Sequence, residues 1–456
     1  MPSSATARCL FARGTVMAHV VRSKTWRSWI ARIAVITAFG MSSAAGAADL
    51  GANCCSDLDE RITELEKTAV RSGNRKIQLQ ISGTVNRALL YWNDGSKRDV
   101  YIVDPAVDNT SFKLDGSAKI GGGWKVGYQL KIEAIIAASD GVDQVKARGE
   151  DGEVFKPDRS YFFLDQEKLG RITVGRTNSA SRGIDNIELT GAETTDSEIP
   201  DWMGGMFLRA KAGNGLLDLR WGDFVLGKFA GVKGELVTYA TPTLWGFEAS
   251  TAWGRDDYWD VALRYKGEWA KTFKARAGIG YFIDTTERKT ENVRDTGWGG
   301  SAALLHIPTG LNIAYNVGRM EHTSRCDERG KLSNQCRGAD TFHYVRGGIV
   351  REYISLGPTA IYGEYYRGHS QHNNSDDALV NALALGAIAN PTELKSSNSN
   401  VWGIGLTQHF ENTGIQIYLG YRHHELDVQL IDAGGPIADK GIKPIDIVFS
   451  GLKIEF

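Results

Sequence analysis

The chain has many residues able to do chemistry, but their spacing assembles no catalytic set. Nine histidines occur in 456 residues; His423 and His424 adjoin in "YRHHELD" and the others are scattered. Covalent or acid–base catalysis needs a nucleophile, a base and an orienting group brought together. The sequence holds no G-x-S-x-G, no H-E-x-x-H and no recognisable His/Ser pairing, so no catalytic residue is assigned. Asp256-Asp257 and Asp376-Asp377 offer only weak, unspecific cation binding, and neither a metal site nor a cofactor is expected. Cys326 and Cys336 flank the polar stretch "CDERGKLSNQC", which reads as a disulfide loop; zinc would need more ligands at regular spacing. Cys54-Cys55 lacks a lipidation motif, because Asn53 stands where a small residue is needed, and has no assigned role. The most pronounced charge pattern is electrostatic instead. Residues 178–232 carry Asp185, Glu188, Glu193, Asp196, Glu198 and Asp201, with only Arg182 of opposite sign before Arg209.

Such charges act only where the chain's elements hold them. Gly is 53 of 456, well above the usual ~7%, Pro only 10, aromatics 10% and hydrophobics 42%. No run of 18 apolar residues is present, so no transmembrane helix is predicted. Arg22, Lys24, Arg27 and Arg32 precede the apolar run "IAVITAF" and the small residues "GMSSAAGAA", the pattern of a secretory leader cleaved after Ala47. Residues 1–47 are thus expected to be removed, and Met17 is an alternative start. Six of the 53 basic residues fall in that leader and no Asp or Glu does; its loss makes the chain net acidic and argues against nucleic-acid binding.

Residues 48–76 form a periplasmic segment. Within it, Leu58, Ile62, Leu65 and Ala69 of "SDLDERITELEKTAV" (56–70) lie on one helical face, either as a short coiled-coil seam or as a frayed helix. From 77 to 456 the period is two. In "WKVGYQLKIEAII", Val126, Tyr128, Leu130 and Ile132 alternate with Lys125, Gly127, Gln129, Lys131 and Glu133; "YWDVALRYK", "LNIAYNVGR" and "IQIYLGYRHH" behave alike. Many such runs reach nine to thirteen residues, the length of a tilted bilayer crossing rather than of a soluble strand. Aromatics gather at strand ends (Tyr91, Trp92, Trp124, Trp253, Tyr258, Trp269, Tyr281, Phe282, Trp402), as an interfacial girdle requires. Short links such as "QEKLG", "HIPTG" and "ENTG" alternate with long polar ones such as 93–110, 139–157, 321–341 and 370–398. The prediction is all-β: a transmembrane antiparallel β-barrel of sixteen strands, or eighteen if the hairpin around Gly213-Asn214-Gly215 joins the wall.

With those residues in hand, the chain resembles the general porins of α-proteobacteria. The likeness is carried by "ERITELE", "GRITVGRTNSA", "LVTYATPTLWGFEASTAWG", "DDYWDVALRY" and the close "GIQIYLGYRHHELD … SGLKIEF". The resemblance implies a homotrimer in the outer membrane of a Gram-negative bacterium, in contact with lipid and lipopolysaccharide and inserted by the barrel assembly machinery. It implies a water-filled channel for passive diffusion of small hydrophilic solutes and ions, with a loop folded into the lumen. That loop is the excursion 178–232, its acids facing basic wall residues, for which Lys113, Arg159 and Lys233, then Arg87 and Arg176, are the matches. Charges of opposite sign across a narrow waist would orient dipolar solutes. The last strand, with Leu452, Ile454 and Phe456 toward lipid, is expected to pair with "KIQLQISGTVNRALLYW"; Gly451, Ile454 and Phe456 match the family's assembly signal. A substrate-selective channel is the alternative function, and a barrel phospholipase or protease the rival from another class.

Overall fold

The computed structural model describes residues 78–147, 154–195, 198–211, 214–225, 231–254, 257–285, 295–322, 338–374, 393–411, 413–432, 435–437 and 441–456. The leader, the segment 56–70, all four remaining cysteines and Asp196 lie outside the described residues.

Alternating polarity becomes two faces of one sheet. In chain order the strands are β1 (Gln78–Asn93), β2 (Arg98–Val103), β3 (Ser111–Gly121), β4 (Trp124–Ala134), β5 (Phe155–Gln166) and β6 (Gly170–Asn178). A small hairpin follows, β7 (Phe207–Arg209) and β8 (Leu216–Arg220). The wall resumes with β9 (Lys233–Ala240), β10 (Phe247–Gly254), β11 (Tyr258–Trp269), β12 (Phe273–Asp284), β13 (Asp295–His306), β14 (Leu311–His322), β15 (Gly338–Ile354) and β16 (Gly357–Asn374). It ends with β17 (Glu393–Phe410), β18 (Ile415–Asp432), β19 (Gly435–Ile437) and β20 (Ile445–Glu455).

Each wall strand pairs antiparallel with the next, and β20 returns to β1 along Thr84↔Glu455 to Asn93↔Asp446, so the sheet is closed. Closure is what lipid demands, since an open edge would leave backbone groups unsatisfied. Of the eighteen strands in that sheet, β19 only prolongs the end of β18, and β2 lies beside the upper half of β1 while β3 takes the lower half. Sixteen therefore build the wall. β7 and β8 form a separate two-stranded sheet within the excursion, as the sixteen-strand count requires.

Outward positions are apolar: Leu79, Ile81, Val85 and Leu89 on β1 face the same way as Leu452 and Ile454 on β20. The core lies inside the barrel, not between layers. Ala88, Leu90 and Trp92, the inward residues of β1, are buried against the excursion. The girdle assignment is corrected on the same ground. Trp253, Trp269, Tyr281 and Trp402 point outward and are exposed, whereas Trp92, Tyr258 and Phe282 occupy inward positions and are buried.

Candidate functional site

The site is the inner surface of the barrel and the excursion that lines part of it. The excursion leaves β6 by docking on β11, where the buried Asp260 carboxylate accepts hydrogen bonds from Ala180 N (3.1 Å), Ser181 N (2.7 Å) and Ser181 Oγ (2.6 Å). It then runs around the inner wall. The Ile184 carbonyl accepts from Ser301 of β13, Leu189 rests on Ala303 and Ala314, and Ala192 on Ala360 and Tyr362. Trp202 stacks on Phe449 of β20 with ring centroids 4.2 Å apart and meets Tyr418 edge-on. Ile199, Trp202, Met203, Met206 and Leu208 are fully buried in this layer. At about 1.5–3 kcal/mol for each large apolar side chain, the excursion is packed as firmly as a domain core.

Polar tethers fix the hairpin. Arg209 meets Asp94 of the β1–β2 turn at 2.8 Å. The Gln144 amide bonds Phe207 twice, donating to its carbonyl and accepting from its N–H, both at 2.8 Å. Burial alone would raise the Asp94 carboxyl, but Arg209 and the N–H groups of Ser96 and Lys97 hold it below its ordinary value.

A charged network anchors the middle of the excursion. Glu364 of β16 bridges Arg346 of β15 (2.9 Å) and Arg422 of β18 (2.7 Å), and all three side chains are essentially inaccessible. Both guanidinium groups also donate to the Thr195 carbonyl, Arg346 Nη2 at 2.9 Å and Arg422 Nη2 at 2.8 Å. Arg346 adds the Ala192 carbonyl at 3.3 Å and the Glu188 carboxylate at 2.9 Å. Burial pushes the Glu188 carboxyl up in spite of Arg346. Glu364 and Arg422 stand on alternate strands and meet only because Gly403 of β17 lies between them: a Cβ there would sit 2.7 Å from Glu364 Oε1 and 3.1 Å from Arg422 Cγ.

The sequence-predicted residues divide accordingly. Glu188 does face a basic wall residue, but that residue is Arg346. Glu198 accepts from Asn186 Nδ2 (3.2 Å), Asp185, Glu198 and Asp201 are buried, and Glu193 is exposed, within electrostatic reach of Lys274. The expected facing of loop acids with Lys113, Arg159 and Lys233 is therefore replaced. Lys113 pairs with Asp115 (3.3 Å), while Lys131 (3.1 Å), Arg159 (3.6 Å) and Lys233 gather on Asp158, a buried carboxylate at a bulge of β5.

Arg87 and Arg176 are corrected more sharply. Arg87 shares the outward face with Val85 and Leu89 and pairs with Asp104 at 2.7 Å; Arg176 shares it with Ile172 and Val174 and donates to the Pro157 carbonyl at 3.1 Å. The two-residue period to apolar neighbours already carried that information. Arg346, Glu364 and Arg422 were missed because only ring register brings them together.

One accessible stretch of the inner face is thus wall that the excursion leaves bare, β3 to β6 with the start of β9. Side chains there keep 20–44% exposure (Lys113, Lys131, Arg159, Arg171, Lys233), against 0% for Arg346 and Arg422 on the covered side. Its cations are Lys113, Lys119, Lys125, Lys131, Lys156, Arg159, Arg171 and Lys233, and its acids Asp115, Glu133, Asp158 and Asp165, an excess of positive charge.

Residues 33–429 match the family of Gram-negative porins. Among solved structures, an anion-selective porin from Comamonas acidovorans superposes with a TM-score of 0.51 at 12% identity, over 83% of this chain and 100% of that one. OprB of Pseudomonas putida superposes at 0.50 with 10% identity, over 87% of this chain and 97% of that one. At these identities the likeness is one of fold. None of these matches singles out the α-proteobacterial branch, and no curated protein sequence matches at a significant level.

Proposed function

The chain belongs to the Gram-negative porins, and from that membership we propose how its lumen sorts what passes. The protein is a passive channel of the outer membrane, and it prefers small hydrophilic anions. One observation carries the preference: the bare wall presents Lys113, Lys131, Arg159 and Lys233, while Asp185, Glu188, Glu198 and Asp201 of the excursion are turned into its packing. A charged ring in a water-filled pore selects by sign. Asp185, Glu188, Glu198 and Asp201 then shape the constriction from behind, while Glu193, Asp218 and Asp223 keep their carboxylates exposed. No catalytic step is needed; the chain acts as a channel without enzymatic activity.

Recording from planar bilayers in asymmetric potassium chloride tests this. Stable conductance steps with a reversal potential on the anion side are expected, and neutralising Lys113 and Arg159 moves it toward cations. Absence of stable steps would overturn the channel reading, and an unshifted potential the role of those two residues.

We further read the working unit as a homotrimer. A guanidinium at the middle of a lipid-facing strand costs about 2–4 kcal/mol, so Arg87 with Asp104 suits an outer face covered by a neighbouring copy better than one bathed in lipid. Cross-linking in membranes should trap a trimer. Deleting 56–70 should lower the trimer's resistance to heat if that seam assists assembly. The remaining partners are lipopolysaccharide around the wall and the assembly machinery, which would read Gly451, Ile454 and Phe456. Residues 1–47 act as the leader, 48–76 as the periplasmic segment and 77–456 as the barrel. A Cys326–Cys336 disulfide would appear as a two-hydrogen mass change on reduction.

A further inference from the structure

The network Arg346–Glu364–Arg422 never meets the bare wall, yet its position gives it control of the lumen. We propose that Glu364 is a positioning residue for permeation: it holds two arginines whose remaining donors grip the excursion, and so sets both the width of the pore and its preference for anions. The inference rests on the anion-channel reading above and goes beyond it by naming what keeps the loop acids out of the water.

Three observations support it. First, the grip is on main-chain carbonyls. Thr195 O receives both guanidinium groups, at 2.9 and 2.8 Å, and Ala192 O receives Arg346 at 3.3 Å. Backbone recognition of this kind fixes where the loop runs whatever side chains it carries. Second, Glu364 is the carboxylate that bridges the two arginines. Its Oε2 accepts from Arg346 Nη2 (2.9 Å) and Tyr344 Oη (2.6 Å), and its Oε1 from Arg422 Nε (2.7 Å). Without that carboxylate two like charges would face each other in a dry site, and such charges repel strongly when desolvated. Third, the geometry is specified by Gly403, which clears the space in which Glu364 and Arg422 meet across an intervening strand. The acids Glu188, Glu193, Glu198 and Asp201 all lie on the gripped stretch or within six residues of it. Releasing it would widen the water path and bring Glu188, Glu198 and Asp201, now buried, into the lumen beside Glu193.

Two variants attack the network from different sides: Glu364→Gln removes the charge but keeps the size, and Gly403→Val keeps every charge but wedges Glu364 from Arg422. Glu364→Asp serves as the conservative rescue. Each is recorded in planar bilayers beside the wild type in asymmetric potassium chloride. Expected are a conductance raised by on the order of twofold and a reversal potential moved toward cations in Glu364→Gln and Gly403→Val, with partial return in Glu364→Asp. Each protein is also made with the further change Thr195→Cys, at a position that is fully buried. It is probed with a hydrophilic thiol reagent and read by peptide mass, so that native cysteines do not interfere. Labelling of the peptide spanning position 195 should appear in both variants and not in the otherwise unaltered chain.

A folded Glu364→Gln or Gly403→Val barrel with wild-type conductance, wild-type reversal potential and no label at position 195 would overturn the proposal. Failure of both variants to fold would also overturn it, since the network would then be a condition of the barrel rather than a setting of its loop. A wild type that itself shows no anion preference would instead sink the selectivity reading, leaving the conductance arm to judge the positioning role.

Discussion

Asp158 shows how one residue can hold the balance of a lumen. Its carboxylate is buried at the bulge of β5 and draws Lys131, Arg159 and Lys233 together on the bare wall. Removing a cation of this set and removing the carboxylate should therefore act in opposite senses. Asp158→Asn leaves three cations with less compensation, so the reversal potential should move further toward anions; Lys131→Gln should move it toward cations. Two charges 4 Å apart interact by about 1 kcal/mol in water and more near protein, so each change should alter the anion-to-cation ratio by about two- to fivefold. Equal shifts of the same sign would show that Asp158 does not face the permeating ions through its partners. The inward direction of Lys131 is legible in "YQLKIE", where it alternates with Leu130 and Ile132, and the same two-residue period places Arg87 and Arg176 with apolar neighbours on the outward face. What no spacing could show is that Glu364, Arg346 and Arg422, 18 and 58 residues apart, share one site. That juxtaposition exists only once β15, β16, β17 and β18 have fixed their register.

At the level of elements, the excursion departs from a simple loop because its apolar residues outweigh its charges in deciding where it lies. Trp202, Met203, Met206, Leu208, Trp221 and Phe224 face the inside of the wall, so the stretch becomes an inner layer with the β7–β8 hairpin at its far end. The acids of this stretch were visible in the sequence, but their neighbours' destination was not: a Trp or Met in a long polar loop has no period to read. The hairpin's tether gives a prediction with a defined sign. Asp94 is depressed by its partners, so its contribution is fully present above its unfolded value of 3.8 and is lost as pH falls through the lower folded value. Breaking a buried pair costs about 3–5 kcal/mol because the surviving charge is stranded. Asp94→Asn should then lower the heat resistance of the barrel at pH 7, and the gap to wild type should close as the pH falls below about 4. Replacing both members, Asp94→Leu with Arg209→Met, should cost less than Arg209 losing its partner alone. A gap that persists unchanged at low pH would mean that the tether acts by packing and not by charge.

For the whole molecule, closure is the step on which everything else depends, because neither the bare wall nor the covered one exists until β20 meets β1. The seam is secured on both faces. Inside, Tyr418 Oη donates to Asn86 Oδ1 at 2.8 Å and Lys453 reaches Asp108 at 2.6 Å; outside, Leu452 and Ile454 flank Val85 and Arg87. At the end of β20, Phe456 and Gly83 exchange backbone hydrogen bonds of 2.9 and 3.1 Å, and the phenyl ring lies over the glycine. A Cβ on Gly83 would sit 2.5 Å from that ring and 2.8 Å from the Ser111 carbonyl of β3, so the close approach of three strands at this point requires glycine. Gly83→Val should therefore hinder closure, and deletion of Phe456 should do so from the other side of the same contact. Both should reduce the yield of heat-resistant barrel in the membrane by several-fold, measured as the fraction that keeps its compact electrophoretic mobility without boiling. The channels that do form should conduct as the wild type does, since Lys131, Arg159 and the Arg346–Glu364–Arg422 network lie on other strands. Normal yield with altered conductance would place Gly83 and Phe456 among the residues that shape the pore instead of those that close it.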